Sequence, residues 1–163
     1  MTSRGSSTTG AWKLHSGRNG DGRFLDAWLS GSIATVGFSK AEPVSTLTKR
    51  ELLDLFGGRG KPGAGLQIAT FRDEIEVDDL IVAPARQLGT CRLGVVTGDY
   101  AWSSSPVVEE HHHWRPVRWL GQLNLDELPD YADKSLRHRW TLTHLSQPVA
   151  DWFTAAASGP LPA

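Results

Sequence analysis

The sequence predicts an α+β fold: a small, curved, mostly antiparallel β-barrel with flanking helices. Strand-like runs rich in Val, Ile, Leu and Trp dominate the middle of the chain. Segments with the 3.6-residue spacing of amphipathic helices lie on both sides of them. No regular alternation of strand and helix is visible, and this argues against a doubly wound parallel sheet.

The predicted strands cover residues 11–15, 32–38, 80–83, 91–97, 114–120 and 140–145. The predicted helices cover residues 21–29, 46–56, 66–75, 136–139 and 149–153. Asp21 has the side chain of an N-cap for the first helix. Thr48 and Glu51 have the spacing of a capping box, which predicts the start of the second helix.

Length and composition suit one domain with a single core, since the chain has 163 residues, of which 39% are hydrophobic and 21% charged. Small polar residues at 1–10 and a Gly, Pro and Ala-rich end at 155–163 predict flexible tails around a folded body at 11–154. No apolar run approaches the roughly 18 to 20 residues that cross a bilayer. The first residues also lack the apolar centre of a secretory signal, so we expect a cytoplasmic location without a membrane partner.

Charge and cysteine content exclude several classes of function. The formal net charge is −1, so any binding to nucleic acid must depend on a local patch. Cys91 is the single cysteine, which excludes an intrachain disulfide and a Cys-rich zinc site. Its flanks resemble the start of a strand, so we expect a buried small side chain there.

The run Glu109 to His113 contains residue types that bind transition metals. Neighbouring residues on a strand point to opposite faces, so at most two of the three histidines could converge on one ion. A strand edge with solvated histidines is the interpretation that this spacing favours, and we expect neither a metal nor another cofactor. A small metal-dependent hydrolase built on this run is the competing hypothesis.

No other motif predicts catalysis. The acidic run from Asp73 to Asp79 lacks the lysine that two-metal nucleases place beside their carboxylates, so a solvated helix end and turn is favoured. The sequence also contains no G-x-S-x-G motif, no Walker loop and no G-x-G-x-x-G motif after a strand. We therefore expect a binding protein and not an enzyme.

Aromatic residues are more informative, because they follow the ends of two predicted strands. Phe38 ends one strand, and Tyr100 and Trp102 follow another, so these rings lie where the mouth of a barrel is expected. Such rings can hold a planar base by stacking, at about 1–3 kcal/mol per base. Of the seven tryptophans, Trp28, Trp114 and Trp119 are assigned to the core.

The run from Trp12 to about Leu120 resembles the PUA-like superfamily, particularly the EVE-type and YTH-type domains that serve as readers in bacterial modification-dependent restriction systems. Four segments carry the resemblance: Ala11-Trp12-Lys13-Leu14-His15-Ser16, Ala34-Thr35-Val36-Gly37-Phe38-Ser39, Val77-Asp78-Asp79-Leu80-Ile81-Val82 and Leu93-Gly94-Val95-Val96-Thr97-Gly98-Asp99-Tyr100. Phe38 stands where Trp is common in the family, and the turn at 77–79 lacks the usual glycine.

The resemblance implies a five- or six-stranded barrel that takes a flipped or single-stranded modified base into an aromatic pocket. The base would be a methylated adenine or cytosine in DNA, with RNA as an alternative, and a nuclease or motor effector would be separate or fused. The implied base-binding residues are Ser16, Phe38, Ser39, Tyr100 and Trp102. The implied phosphate-binding residues are Arg18 and Lys40. A non-catalytic protein-interaction or accessory subunit with exposed tryptophans is the alternative function.

Overall fold

The computed structural model describes residues 10–18, 20–37, 44, 46–56 and 62–163. The strands are β1 (Ala11–Leu14), β2 (Ile33–Val36), β3 (Leu80–Ala85), β4 (Thr90–Val96), β5 (Ala101–Trp102), β6 (His113–Asn124) and β7 (Leu142–His144). The helices are α1 (Leu25–Gly31), α2 (Lys49–Phe56), α3 (Pro62–Ala69), α4 (Asp130–Leu136) and α5 (Gln147–Ala157). Helix α3 continues into a π-helical turn, Thr70–Glu74, and short 3₁₀ turns lie at Arg86–Leu88 and Leu125–Glu127.

The described strands form one curled half-barrel sheet in the order β2-β6-β4-β3-β1-β7, with β5 paired to β6. Five of its six pairings are antiparallel. The exception is the parallel pair of β1 and β3, in which Ala11 lies opposite Leu80. The predicted α+β class and the curved, mostly antiparallel sheet with flanking helices are therefore confirmed.

Both faces of the sheet are covered, because alternate residues of its strands belong to two different cores. Ile81 and Ala83 of β3 pack with Trp28 of α1 and with Phe71 of the π turn. Leu80 and Val82 of the same strand pack on the opposite face, against α4 and α5. This two-residue period follows from strand geometry.

The segment formed by α3 and the π turn connects β7, one edge strand of the half-barrel, with β6, which lies next to the other edge strand, β2. At the β7 end, Leu142 N donates to Gln67 Oε1 at 2.9 Å. At the β6 end, the buried Arg115 donates from Nη1 to the carbonyls of Phe71 and Arg72, at 3.1 and 3.3 Å. This helical segment thereby joins two strands that do not pair with each other.

Several local predictions can be compared with the structure. The capping box is confirmed, since Glu51 N donates to Thr48 Oγ1 at 3.1 Å and Thr48 N donates to Glu51 Oε1 at 3.3 Å. The prediction that Asp21 caps a helix is wrong, because its carboxylate accepts the N–H groups of Arg18 and Arg23 in the loop before α1. The sequence analysis also missed β5, which has only two residues.

The last helices differ in extent from the prediction. Helix α4 occupies Asp130–Leu136, where the apolar residues Ala132 and Leu136 are buried, and not 136–139. Helix α5 extends to Ala157, beyond the start of the predicted tail at 155. Further along, Gln122 N of β6 donates to the carbonyl of Pro162 at 2.9 Å. Among the described residues, no helix has both the length and the apolar character to cross a membrane.

Candidate nucleic-acid interface

Two pairs of stacked rings lie where β5 meets the start of β6, and we call their four residues the ring cluster: Tyr100, Trp102, His112 and His113. Pairing of the two strands places Trp102 opposite His113. Tyr100 stacks on His113, with ring centroids 5.8 Å apart and planes 26° apart. Trp102 stacks on His112 at 5.6 Å and 17°. Tyr100 and Trp102 are half-buried residues.

Hydrogen bonds and burial keep the inner pair of rings neutral at pH 7. The Tyr100 hydroxyl and His113 Nδ1 are 2.7 Å apart. Burial lowers the pKa of His113 to about 4 and raises the pKa of Tyr100 to about 12. His112 donates from Nδ1 to the Ser103 carbonyl at 2.7 Å, which holds its ring against Trp102.

Three nitrogen atoms beside these rings are buried without a hydrogen-bond partner among the described residues: Trp102 Nε1, His113 Nε2 and Arg115 Nε. His113 and Arg115 are two residues apart on β6, so their side chains leave the same face of the strand. Arg115 otherwise donates to backbone carbonyls only, including Gly98 O at 3.1 Å, and burial lowers its pKa. An unsatisfied buried donor costs about 1–3 kcal/mol, and a ligand with acceptor atoms would recover it.

Two cavities share His111, the chain neighbour of His112, and none of the four rings of the cluster lines either cavity. One of about 170 Å³ lies between β2 and the loop before β6, and its lining includes Thr35, Ser103 and Trp114. The other, of about 400 Å³, is lined by Phe24 and Gly37 among others. The second volume lies within the range of small-ligand pockets, roughly 300–1,000 Å³.

The larger of these two cavities lies beside the loop that follows β1. Arg18, a predicted phosphate-binding residue, lines it together with Arg23. Asp21 Oδ1 accepts the backbone N–H of both residues, at 3.1 and 3.0 Å, and thereby orders the loop. Glu109 and Glu110 line the same cavity, so its charge is mixed.

The remaining predicted site residues occupy different environments. Ser16 is buried, and its hydroxyl donates to the Pro84 carbonyl at 3.2 Å. Phe38, Ser39 and Lys40 lie outside the described residues, so their roles stay predictions. Gly37, which precedes Phe38, lines the 400 Å³ cavity. The structure thus stacks Tyr100 on His113 and Trp102 on His112, and it places Arg18 at the 400 Å³ cavity.

The histidine run is the feature that the sequence analysis misjudged. The expectation of solvated histidines is wrong, since His113 is fully buried and His111 and His112 are half-buried. The described residues contain no group of three or more His, Cys, Asp or Glu side chains that could hold a metal ion. Extending the predicted strand back by one residue would have revealed His113 and Arg115 on the same face as the buried Val117.

A larger cleft, of about 1,150 Å³, lies between the α3 segment and the edge strand β7. Its lining includes two tryptophans, two cationic residues and three carboxylates: Trp12, Trp140, Lys49, Arg139, Asp73, Glu74 and Glu76. The charge of this cleft is therefore mixed, as it is in the 400 Å³ cavity.

The model of the family described as "Domain of unknown function (DUF8426)" matches residues 12–146. The chain belongs to this family. No curated protein matches the sequence of this DUF8426 member. Its fold is similar to the crystal structure of the YTH domain of the Zygosaccharomyces rouxii MRB1 protein in complex with N6-methyladenosine RNA. The TM-score is 0.52 at 8% sequence identity, covering 96% of this chain and 91% of that chain. The DUF8426 domain therefore has a YTH-like, PUA-like fold.

Proposed function

We propose that this DUF8426 domain is a non-catalytic reader that binds a nucleic acid by holding one modified base, most simply a methylated one, at the ring cluster. The observation that supports this proposal concerns three buried nitrogen atoms, Trp102 Nε1, His113 Nε2 and Arg115 Nε. None of them has a hydrogen-bond partner among the described residues. The similar YTH domain is described in complex with N6-methyladenosine RNA, which supports a methylated base as the ligand.

The geometry of the described residues supports the following division of roles. The rings of Tyr100 and Trp102 stack on the base, and each stacked base contributes about 1–3 kcal/mol. Donors behind these rings bind acceptor atoms on the base edge, as is usual for a base taken out of its stack. Arg18, which lines the 400 Å³ cavity, binds a phosphate, and Phe38, Ser39 and Lys40 keep the roles in base and phosphate binding that the sequence predicts for them. DNA is the primary nucleic acid of this proposal and RNA is its alternative.

The binding test is a fluorescence-anisotropy titration of labelled DNA and RNA oligonucleotides at physiological salt. The probes are unmodified or carry N6-methyladenine, 5-methylcytosine or 5-hydroxymethylcytosine, and each is used as single strand and duplex. We expect one modified probe to bind at least tenfold more tightly than its unmodified match, about 1.4 kcal/mol. Equal binding of all probes would contradict a reader, and no binding would favour a protein-interaction subunit.

The site test compares two tryptophan variants in the same titration. Trp102→Ala removes a ring of the cluster and is expected to weaken binding of the preferred probe about tenfold. Trp152→Ala is the matched control, since Trp152 is also half-buried but packs on the core covered by α5. Equal losses in both variants would show that the effect comes from stability and not from base contact.

We further propose that the domain is the recognition part of a modification-dependent restriction or defence system, whose nuclease or motor is a separate or fused protein. The test is transformation of cells carrying the gene and its neighbours with methylated and unmethylated copies of one plasmid. We expect fewer transformants with the methylated plasmid and recovery with Trp102→Ala. Equal efficiencies for the two plasmids would contradict this role.

A further inference from the structure

His111 lines both of the smaller cavities and takes no part in the proposed base-stacking or phosphate contacts. Its ring packs edge-on against Phe24, with centroids 4.4 Å apart and planes 61° apart. Burial is the main cause that lowers its pKa to about 4, and the charges of Arg18 and His112 lower it further. The imidazole is therefore neutral at pH 7, with one donor nitrogen and one acceptor nitrogen.

A chain of two hydrogen bonds determines which nitrogen is the donor. Trp28 Nε1 is 2.8 Å from Thr35 Oγ1, and Thr35 Oγ1 is 2.8 Å from His111 Nδ1. An indole N–H only donates, so the threonine oxygen accepts it. Among the described residues, the Thr35 hydroxyl has no other acceptor within hydrogen-bonding distance. Its hydrogen is therefore donated to Nδ1, which leaves the imidazole hydrogen on Nε2.

The other side of the ring faces the end of β2. A Cβ atom placed on Gly37 would lie 3.1 Å from His111 Nε2 and 3.0 Å from Cδ2. Gly37 and His111 line the same 400 Å³ cavity, so Nε2 lies at its wall. Trp28 and Thr35 are both buried, which makes this arrangement rigid before any ligand binds.

We propose that His111 is a specificity-determining residue of the site, whose Nε2–H donates to a ring nitrogen on the Watson–Crick edge of the bound base. This inference rests on the proposed function. A base methylated on carbon or on its exocyclic amine keeps the lone pair of that ring nitrogen. A base methylated on the ring nitrogen itself has lost the lone pair and carries positive charge. The site therefore accepts the first class of modified base and rejects the second.

The first experiment measures the tautomer in the free protein, independently of any nucleic acid. Nitrogen-15 NMR of the imidazole at pH 7 is expected to show His111 neutral with its hydrogen on Nε2. Thr35→Val keeps the shape of the side chain but removes the hydroxyl, and a mixture of the two tautomers is then expected. A hydrogen on Nδ1, or a charged ring, in the wild-type protein would overturn the inference.

The second experiment compares probes containing N6-methyladenine and 5-methylcytosine with probes containing N1-methyladenine and N3-methylcytosine. Of the probes with N6-methyladenine and 5-methylcytosine, we expect the tighter-binding one to bind at least tenfold more tightly than the probe with the same base methylated on its ring nitrogen. His111→Phe keeps a ring against Phe24 and is expected to abolish this difference in affinity. The control is His144→Gln, at an exposed residue of β7, which should leave the difference unchanged. Thermal unfolding of each variant verifies its fold.

Equal binding of the two classes by the wild-type protein would overturn the role of His111, as would full discrimination by His111→Phe. Absence of binding to every probe would overturn the proposed function and the base-reading role together. The NMR result separates these failures, because it reports the hydrogen-bond chain alone.

Discussion

Asp79 is a buried carboxylate just before β3 that stabilises the chain around the first strand. It accepts hydrogen bonds from Gly10 N at 3.1 Å, Trp12 Nε1 at 2.8 Å and Glu76 N at 2.9 Å. The sequence analysis placed this residue in a solvated acidic turn, and that expectation is wrong. Charge-assisted hydrogen bonds of this kind satisfy backbone and indole donors that would otherwise be buried without partners.

Substitution of Gly37 by alanine adds one methyl group beside His111 and therefore tests whether binding depends on the position of that ring. Its added Cβ would press on His111 at 3.0–3.1 Å, so the ring must move by a few tenths of an ångström. We expect Gly37→Ala to lower the free energy of unfolding by about 1 kcal/mol and to weaken binding of the preferred modified probe. Chemical denaturation and anisotropy titration measure the two effects.

The control for this substitution is Gly159→Ala, where the added Cβ meets only Ala156 O, at 3.7 Å. That variant is expected to keep both stability and binding. If Gly37→Ala binds the modified probe as tightly as the control does, binding does not depend on the position of the His111 ring.

At the scale of elements, the π turn determines how β6 is attached to the helical segment. Arg115 donates to the Phe71 and Arg72 carbonyls, and Arg72 in turn donates from Nη1 to the carbonyls of Val44 and Leu47, at 2.7 and 2.6 Å. Two guanidinium groups thus join β6, the π turn and the chain before α2. π-helical turns within α-helices are frequent at functional sites, and this one adjoins the ring cluster.

Replacement of Arg115 by lysine tests this attachment. A single ammonium group cannot reproduce the forked geometry that reaches the carbonyls of Phe71, Arg72 and Gly98. We expect Arg115→Lys to lower the free energy of unfolding by about 2–3 kcal/mol. Arg118→Lys is the matched control, since Arg118 lies on the same strand but is exposed, and urea denaturation of both variants gives the comparison. Similar stabilities for the two variants would contradict an anchoring role.

At the scale of the whole molecule, a buried lysine makes stability depend on pH. Lys13 is fully buried in β1, and its ammonium group donates to the carbonyls of His138 and Trp140, which ties the chain before β7 to the sheet. Burial lowers the pKa of Lys13 from 10.5 to about 7. Between these values the unfolded chain binds a proton that the folded chain has lost, so stability rises with pH.

We therefore expect the free energy of unfolding to increase between pH 7 and pH 9, by at most about 1.4 kcal/mol per pH unit. Above pH 9 the rise is opposed, because burial raises the pKa of Cys91 and of Tyr100 to about 12, so the folded chain retains protons that the unfolded chain loses. Urea denaturation at each pH measures the slope. Lys13→Met should remove the rise, and a rise that persists in this variant would assign it to other groups.

The features that could be predicted from the sequence alone depend on neighbouring residues or on a repeated spacing. The capping box at Thr48, the alternation along β3 and the aromatic residues at 100 and 102 depend on neighbours in the chain, so their spacing is enough to predict a helix start, a strand and a cluster of rings. The resemblance in four short segments likewise led to the correct fold class. Strand β5 could not be predicted, because a strand of two residues has no period to detect.

Only the tertiary structure decided which polar residues are buried and what they contact. From the sequence alone, His111, His113 and Arg115 are predicted to be polar residues near a strand edge. In the structure, β2, β5 and the π turn pack around them. Their partners, Thr35, Tyr100 and Phe71, lie 76, 13 and 44 positions away in the sequence. Burial lowers the pKa of His113 and leaves its Nε2 without a hydrogen-bond partner among the described residues. Burial arises from contacts between segments that local spacing does not encode.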